Sequence, residues 1–294
     1  MSNAKNLYIA WSNKQDSYSF IATLLTVKEL GYTPVVLPMI KSTDLHYEEE
    51  RLVDATDEHG ILLSECASKV KQYSWRHSNV EEVLGDIDHI IFPGGSDISP
   101  TLCQKEQPWH GIKEDTEFSA ERDVSDYILM SYVIEHNIPM LAICRGMQLL
   151  SILRGASIIS HIPTYLRELG IEENELHRDC ERVDFVPHDV MVIDKDSLLY
   201  QSVKTLNIEK VPSWHHQGVR DIKNTDLVVT GITKSNNISI IEAVELKDKK
   251  FCLGVQFHPE VAVRKWAEKE SNAASFMDID SALSFFRLLI KEAK

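Results

Sequence analysis

Ile138-Pro139-Met140-Leu141-Ala142-Ile143-Cys144-Arg145-Gly146-Met147-Gln148-Leu149-Leu150 is the stretch that decides how this chain folds. The run Pro139 to Ile143 is short and apolar, the length of a buried parallel strand. Met147 to Leu153 carries apolar residues at spacings that suit a helix packed on that strand. Only Cys144, Arg145 and Gly146 lie between, so the chain must bend tightly, and Gly146 permits a close approach there. The bend lifts the Cys144 side chain out of the sheet and sets it at a helix N-terminus, where free amides and the dipole favour a thiolate. A nucleophile elbow has this form, here with Cys in the place of Ser. A buried thiol between strand and helix fits the same residues, since free Cys is often an inert part of a core.

Working outward, Leu7 to Trp11 reads as a first strand and Val35 to Pro38 as a second. Between them, Phe20, Leu24, Val27 and Leu30 share a helical face over residues 17–30, and Gly31 stops the helix. A βαβ opening of this kind predicts a parallel sheet. His89 to Phe92 is a third strand, followed by Pro93-Gly94-Gly95-Ser96-Asp97-Ile98-Ser99-Pro100. Glycines just after a parallel strand lie at the carboxyl edge, where α/β proteins bind ligands and where open backbone N–H groups can hold an anion or oxyanion. A plain turn explains Gly94-Gly95 equally well when the pair is taken alone.

Residues 117–136 predict a long helix with Val124, Ile128, Tyr132 and Val133 on its apolar side. Residues 41–86 interrupt the alternation: they are polar, contain Glu48-Glu49-Glu50, and predict short helices near 61–73 and 79–84. A connection this long is often functional or an interface, and a solvated helical insertion is the simpler reading. Residues 155–180 read as irregular. Strand signals then dominate at 183–186, 190–193, 227–233, 238–244 and 251–257, before an amphipathic helix at 279–292. With no repeat and no linker, the expected organisation is one domain over 1–294 with a helical insertion at about 41–86.

The net charge of −14 argues against a nucleic-acid partner, which would show as a basic patch. Five widely spaced Cys without a CxxC pair suggest neither a disulfide framework nor a zinc ribbon, and a reducing compartment fits. There is no secretory apolar region and no long apolar stretch, so a cytoplasmic protein with no membrane partner is expected.

A Cys nucleophile needs a base, and a His oriented by an acid is the usual solution. His258 follows the apolar run Cys252 to Phe257, so it too stands at a strand end and can share a sheet edge with Cys144. Pro259 fixes the backbone after it, and Glu260 can turn back to hold the imidazole N–H. The paired His215-His216 invite a metal reading with His258 or His188. Their spacing matches no zinc signature and no carboxylate cluster accompanies them, so neither a metal nor a cofactor is expected.

Phe92-Pro93-Gly94-Gly95-Ser96-Asp97-Ile98, Ile143-Cys144-Arg145-Gly146-Met147-Gln148 and Gly254-Val255-Gln256-Phe257-His258-Pro259-Glu260 together resemble the three signatures of class I glutamine amidotransferases. Cys144-Arg145-Gly146, Asp97-Ile98-Ser99-Pro100, Glu121-Arg122-Asp123 and Ser213-Trp214-His215-His216-Gln217 resemble one branch, the gamma-glutamyl-gamma-aminobutyrate hydrolase or PuuD-like peptidase family. The likeness runs from residue 7 to about 260 with the motifs in order. It implies a flavodoxin-like three-layer α/β sandwich around a central, mostly parallel sheet. It also implies Cys144 as nucleophile, His258 as general base and acid, and Glu260 as the residue orienting it. The backbone amides of Gly95 and Arg145 would form the oxyanion hole. Gly94, Gln148, His215, His216 and Gln217 would line the substrate pocket. The implied reaction is hydrolysis of a small γ-glutamyl amide through a γ-glutamyl thioester, as in polyamine catabolism. Arg122 and Asp123 read as an exposed or helix-to-loop ion pair, with a contact to the substrate's α-carboxylate as the alternative.

The chain departs from the family pattern at Arg154, where a Gly is usual, at His161 in place of a Gln, and at Asn236-Asn237 in place of Asp-Gly, a swap that left-handed turns tolerate. These leave the leaving amine open. Two rival readings stand beside the hydrolase. One is a glutaminase passing ammonia to a separate synthetase chain, and the other is a catalytically weak ligand-binding homologue. The oligomeric state is open, with a homodimer among the options.

Overall fold

The computed structural model describes residues 5–105, 109, 117–171, 177–178, 184–235 and 238–293. It opens with β1 (Asn6–Ile9), α1 (Tyr18–Glu29) and β2 (Thr33–Val36). The Ser17 side chain caps α1 by accepting from the Phe20 amide, and Gly31 leaves the helix at φ +76°, a left-handed conformation that suits glycine.

Residues 41–86 are not a solvated excursion. They hold a small antiparallel ribbon, β3 (Tyr47–Glu48) with β4 (Arg51–Leu52), and the helices α2 (Ser64–Tyr73) and α3 (Val80–Leu84). Leu62, Ala67, Val70, Val80 and Leu84 are buried in the same core as Ile128 and Val133. The apolar residues of this stretch are sparse enough to look polar in a window, yet nearly all of them point inward.

Next come β5 (Ile90–Phe92), α4 (Ala120–Glu135), β6 (Met140–Ile143) and α5 (Arg145–Leu153). The stretch read as irregular contains β7 (Ser157–Ile159) and α6 (Ile162–Glu168). β7 is three residues long and forms only by pairing with a strand far along the chain, so no local pattern marks it. In place of two strands at 183–186 and 190–193 there is one, β8 (Val186–Val192), with strictly alternating burial. Pro187, His188 and Asp189 hide that alternation, because His188 points inward although it is polar. Then follow α7 (Leu198–Val203), β9 (Asn207–Ser213), β10 (Gly218–Asp221), β11 (Val228–Ser235), β12 (Ile238–Glu245), β13 (Cys252–Val255), α8 (Pro259–Ala267) and α9 (Ile279–Glu292). The Asn236-Asn237 turn and Cys180 lie outside the described residues.

The main sheet runs β2-β1-β5-β6-β13-β12-β11-β8-β9. The first five strands are parallel, and from β12 onward the pairing is antiparallel. Alternate residues of the parallel strands enter opposite cores. Ile90, Phe92, Met140 and Ala142 face α4 and α5, whereas Ile91, Leu141, Ile143, Leu253 and Val255 face α1, α8 and α9. This is the expected flavodoxin-like arrangement, a parallel sheet buried on both faces by helices, extended by an antiparallel wing. β6 lies between β5 and β13. The loop carrying Gly94-Gly95, the Cys144 elbow and the His258 segment therefore leave neighbouring strands at one carboxyl edge.

Candidate active site

The elbow is strained as its sequence required. Cys144 takes φ +50° and ψ −104°, a conformation that costs a non-glycine residue about 1–3 kcal/mol. Its amide donates to Val255 O at 2.7 Å and its carbonyl accepts from Gln148 N at 3.1 Å, so the bend is held from both sides. Gly146 allows the helix to press onto β5: a Cβ there would stand 2.7 Å from Phe92 O.

His258 is buried, and its Nδ1 lies 2.7 Å from Glu260 Oε1. Burial works against a charged imidazole, but the Glu260 carboxylate and the nearby Cys144 outweigh it and raise His258 to about 10. Gly94 packs against both partners: a Cβ would meet His258 Cε1 at 2.6 Å and Cys144 Cβ at 3.5 Å. The Gln256 side-chain amide donates to Cys144 Sγ at 3.5 Å. Gln256 belongs to the third signature but has no role assigned to it there; its position two residues before His258 is the available signal, since alternate residues of an extended run share a face.

Arg122 and Asp123 do not form the exposed or helix-to-loop ion pair expected of them. Both are fully buried, and they do not pair with each other. Arg122 Nη2 donates to Pro93 O and Gly94 O, each at 2.8 Å, and its Nε to Asp126 Oδ2 at 3.3 Å. Asp123 accepts from Ser99 N at 3.0 Å and from Arg145 Nη2 at 2.6 Å, while Arg145 Nη1 reaches Asp126 Oδ2 at 2.5 Å. Two arginines and two aspartates thus lock α4, α5 and the glycine loop together. Gly95, at φ +154°, has no room for a side chain, since a Cβ would lie 1.8 Å from Arg122 Nη1. With its side chain committed inward, Arg145 can offer the site only its backbone. As the first residue of α5 it has no intrahelical acceptor for its N–H.

These groups open onto a cleft of about 350 Å³ lined by Gly95, Cys144, Gln148, His215, His216, Gln217 and His258. Gly94 and Glu260 stand behind that wall. Gln148 Nε2 is held by Gln217 O and Gln256 Oε1, both at 3.2 Å. His216 Nε2 lies 2.9 Å from Asp97 Oδ1, tying the wall to the glycine loop. The cleft also takes in Asp97 and Trp214, which belong to the quoted motifs, together with Tyr18 from the start of α1 and Lys14, Arg178 and Phe185, which no motif announces.

Of the departures, Arg154 and His161 sit outside the cleft. Arg154 caps the far end of α5 and pairs with Asp226, Nε to Oδ1 at 2.8 Å. His161 caps α6, accepting from Thr164 N at 3.2 Å, and its ring meets that of His216 edge-on at 5.6 Å.

His215 gathers with His188, His177 and Glu242 and not with His258, and the carboxylate that the sequence did not offer nearby comes from β12. Among the described residues, no helix is long and apolar enough to cross a membrane.

Residues 69–260 match the peptidase C26 family. Protein NtpR of Enterococcus hirae is 33% identical over 179 residues, covering 60% of this chain and 69% of that one. The gamma-glutamyl-gamma-aminobutyrate hydrolase PuuD of Escherichia coli is 26% identical over 190 residues, covering 62% of this chain and 68% of that one. Among solved structures, the Trypanosoma brucei CTPS glutaminase domain with bound acivicin superposes with a TM-score of 0.50 at 16% identity, covering 98% of this chain and 94% of that one. A glutamine amidotransferase from Thermotoga maritima gives 0.50 at 12% identity, covering 99% and 98%. At these identities the structural likeness speaks to the fold.

Proposed function

The chain belongs to the peptidase C26 family of class I glutamine amidotransferase-like proteins, and on that premise we propose that it hydrolyses a γ-glutamyl amide through a thioester on Cys144. The observation that carries this reading is a strained elbow thiol that shares a walled cleft with Gly95 and with His258, whose Nδ1 lies 2.7 Å from Glu260.

Cys144 attacks the γ-carbonyl carbon as a thiolate, its proton residing on His258. The carbonyl oxygen becomes an oxyanion between the backbone amides of Gly95 and Arg145, donors that cost no reorganisation because the Arg122–Asp126–Arg145–Asp123 lattice already fixes their loops. Collapse of the tetrahedral intermediate breaks the C–N bond as His258 gives its proton to the departing amine. Neutral His258 then takes a proton from water, which attacks the thioester, and the free glutamate leaves as the Cys144–His258 pair is restored. Glu260 keeps Nδ1 protonated, so that Nε2 faces the thiol. The cleft offers both signs of charge to a glutamyl group: Lys14 and Arg178 suit its α-carboxylate, and Asp97 and Glu117 its α-ammonium. Gln148, His215, His216 and Gln217 complete the walls.

The test is glutamate release by the purified chain across glutamine and a panel of γ-glutamyl amines, with Cys144→Ala as control. Cys144-dependent release from a γ-glutamyl amine is expected, with glutamine a poor substrate. Release from glutamine alone would replace this reading with an ammonia-supplying glutaminase, and no release from any of them with a ligand-binding homologue.

A further inference from the structure

We propose that His177, His188, His215 and Glu242 bind one tetrahedral divalent transition-metal ion, zinc by the chemistry of the donors. Each residue presents one ligand atom, and the four atoms lie within 4.8 Å of one another. His177 Nδ1 is 3.2 Å from Glu242 Oε1, and the Nε2 atoms of His188 and His215 each lie 3.9 Å from a Glu242 oxygen. Donors on a tetrahedral zinc with bonds of about 2.0–2.1 Å stand roughly 3.3–3.5 Å apart, so small side-chain movements close the shell.

The ring tautomers are set for it. His215 Nδ1 lies 2.8 Å from Gln217 O and His188 Nδ1 3.2 Å from Asp189 O. Carbonyls only accept, so these nitrogens carry the protons and the Nε2 lone pairs face Glu242. Backbone acceptors that orient a ligating imidazole in this way are the usual outer shell of a metal site. The Ser213 hydroxyl, 2.6 Å from His188 Nε2, competes for one lone pair and must rotate away when the ion enters.

The second observation is what the cluster lacks. All four residues are buried. Both Glu242 oxygens, both His177 ring nitrogens and His215 Nε2 are buried without a hydrogen-bond partner among the described residues. Buried polar atoms are rarely left so, and a cation at their centre satisfies them together. Three imidazoles and one carboxylate select zinc over magnesium or calcium, and four protein ligands make a closed, structural site. The ion would join β8, β12, the segment after β9 and the segment that carries Arg178. Arg178, Trp214 and Gln217 line the cleft, so the metal would brace one of its walls. This inference stands whether or not the chain is a hydrolase.

The full-length chain, expressed without a histidine tag and purified without immobilised metal, is assayed for metal by mass spectrometry. It is then stripped with a chelator and titrated with Co²⁺ while the visible spectrum is followed. Because a Cys–His pair can itself capture zinc, both measurements are repeated on Cys144→Ala. We expect one equivalent of metal in wild type and in Cys144→Ala, with the intense visible bands of tetrahedral Co²⁺. Glu242→Gln, folded by circular dichroism, should bind Co²⁺ roughly 10²-fold more weakly or worse; if it does not fold, His177→Ala replaces it. Absence of saturable metal in wild type overturns the proposal. So does metal lost in Cys144→Ala but retained in the cluster variant, which would assign it to the catalytic pair.

Discussion

Gly94 has no space for a methyl group, because its Cβ would fall 2.6 Å from His258 Cε1. The clash is with a ring that can swing, so Gly94→Ala should fold and yet push the imidazole off the thiol. A misplacement near 1 Å can cost about 10²-fold in rate, and kcat should fall by that order with the far-UV circular dichroism unchanged. Full activity in Gly94→Ala would mean that the packing of His258 is not what sets its catalytic position. Among the described thiols, burial pushes Cys103 up to about 11 and Cys252 up to about 12, and it also raises Cys66. None of these three offers appreciable thiolate at neutral pH, and none of them lines the cleft, whereas Cys144 does, together with His258. Iodoacetamide on the native protein should therefore alkylate Cys144 before Cys66, Cys103 or Cys252, as read by peptide mapping. Labelling of Cys252 at a comparable rate would count against this ordering.

Between elements, the Arg122–Asp126–Arg145–Asp123 lattice is what turns a strand–loop–helix motif into a fixed site. Burial, then the neighbouring Arg145, lowers Arg122 to about 10, while Asp126 and Asp123 act against them; the guanidinium stays charged at neutral pH. Arg122→Met removes the donors to Pro93 O and Gly94 O and leaves Asp126 buried with half its partners. Breaking such a network costs about 3–5 kcal/mol. Urea unfolding should show a loss of that size, and kcat should fall because the Gly95 amide loses its anchor. A variant as stable as wild type would show that the lattice is not what holds the loop. This network was hidden from the sequence, where a paired buried arginine and an exposed one look alike. The four-residue spacing of Arg122 and Asp126 on one helix face was a usable sign. The apolar strands β5, β6 and β13 were legible because both their faces are buried. β9 and β10 were not, since charged residues break their apolar pattern, and β10 pairs with β7 far back along the chain. α8 was missed although Pro259 sits at its first turn, a favoured place for proline,.

At the scale of the whole molecule, Gly94, Cys144 and His258 meet only because β5, β6 and β13 are neighbours in the sheet, and no local signal carries that adjacency. Three motifs in order were enough to suggest it by resemblance. Periodicity alone supplied a parallel sheet and left the antiparallel wing as a series of unpaired strands. The same adjacency couples the site's charge to folding. His258 titrates near 6.5 when unperturbed and is raised to about 10 in the folded chain. A folded-state value above the unfolded one means that the folded state holds the proton more tightly. Its contribution to stability is therefore complete below about 6.5 and is lost as pH rises through about 10. Other groups titrate over the same range, so the measurement is a difference. Melting temperatures of wild type and Glu260→Gln are compared from pH 6.5 to 10.5. Glu260 is the foremost group raising His258 against burial, so its neutral isostere removes most of the linkage. Wild type should exceed the variant most near pH 6.5, and the gap should narrow as pH approaches and passes 10. Two curves that run parallel across that range would mean that His258 and Glu260 do not form a charged pair in the folded protein, and the proton inventory proposed for Cys144 would have to be redrawn.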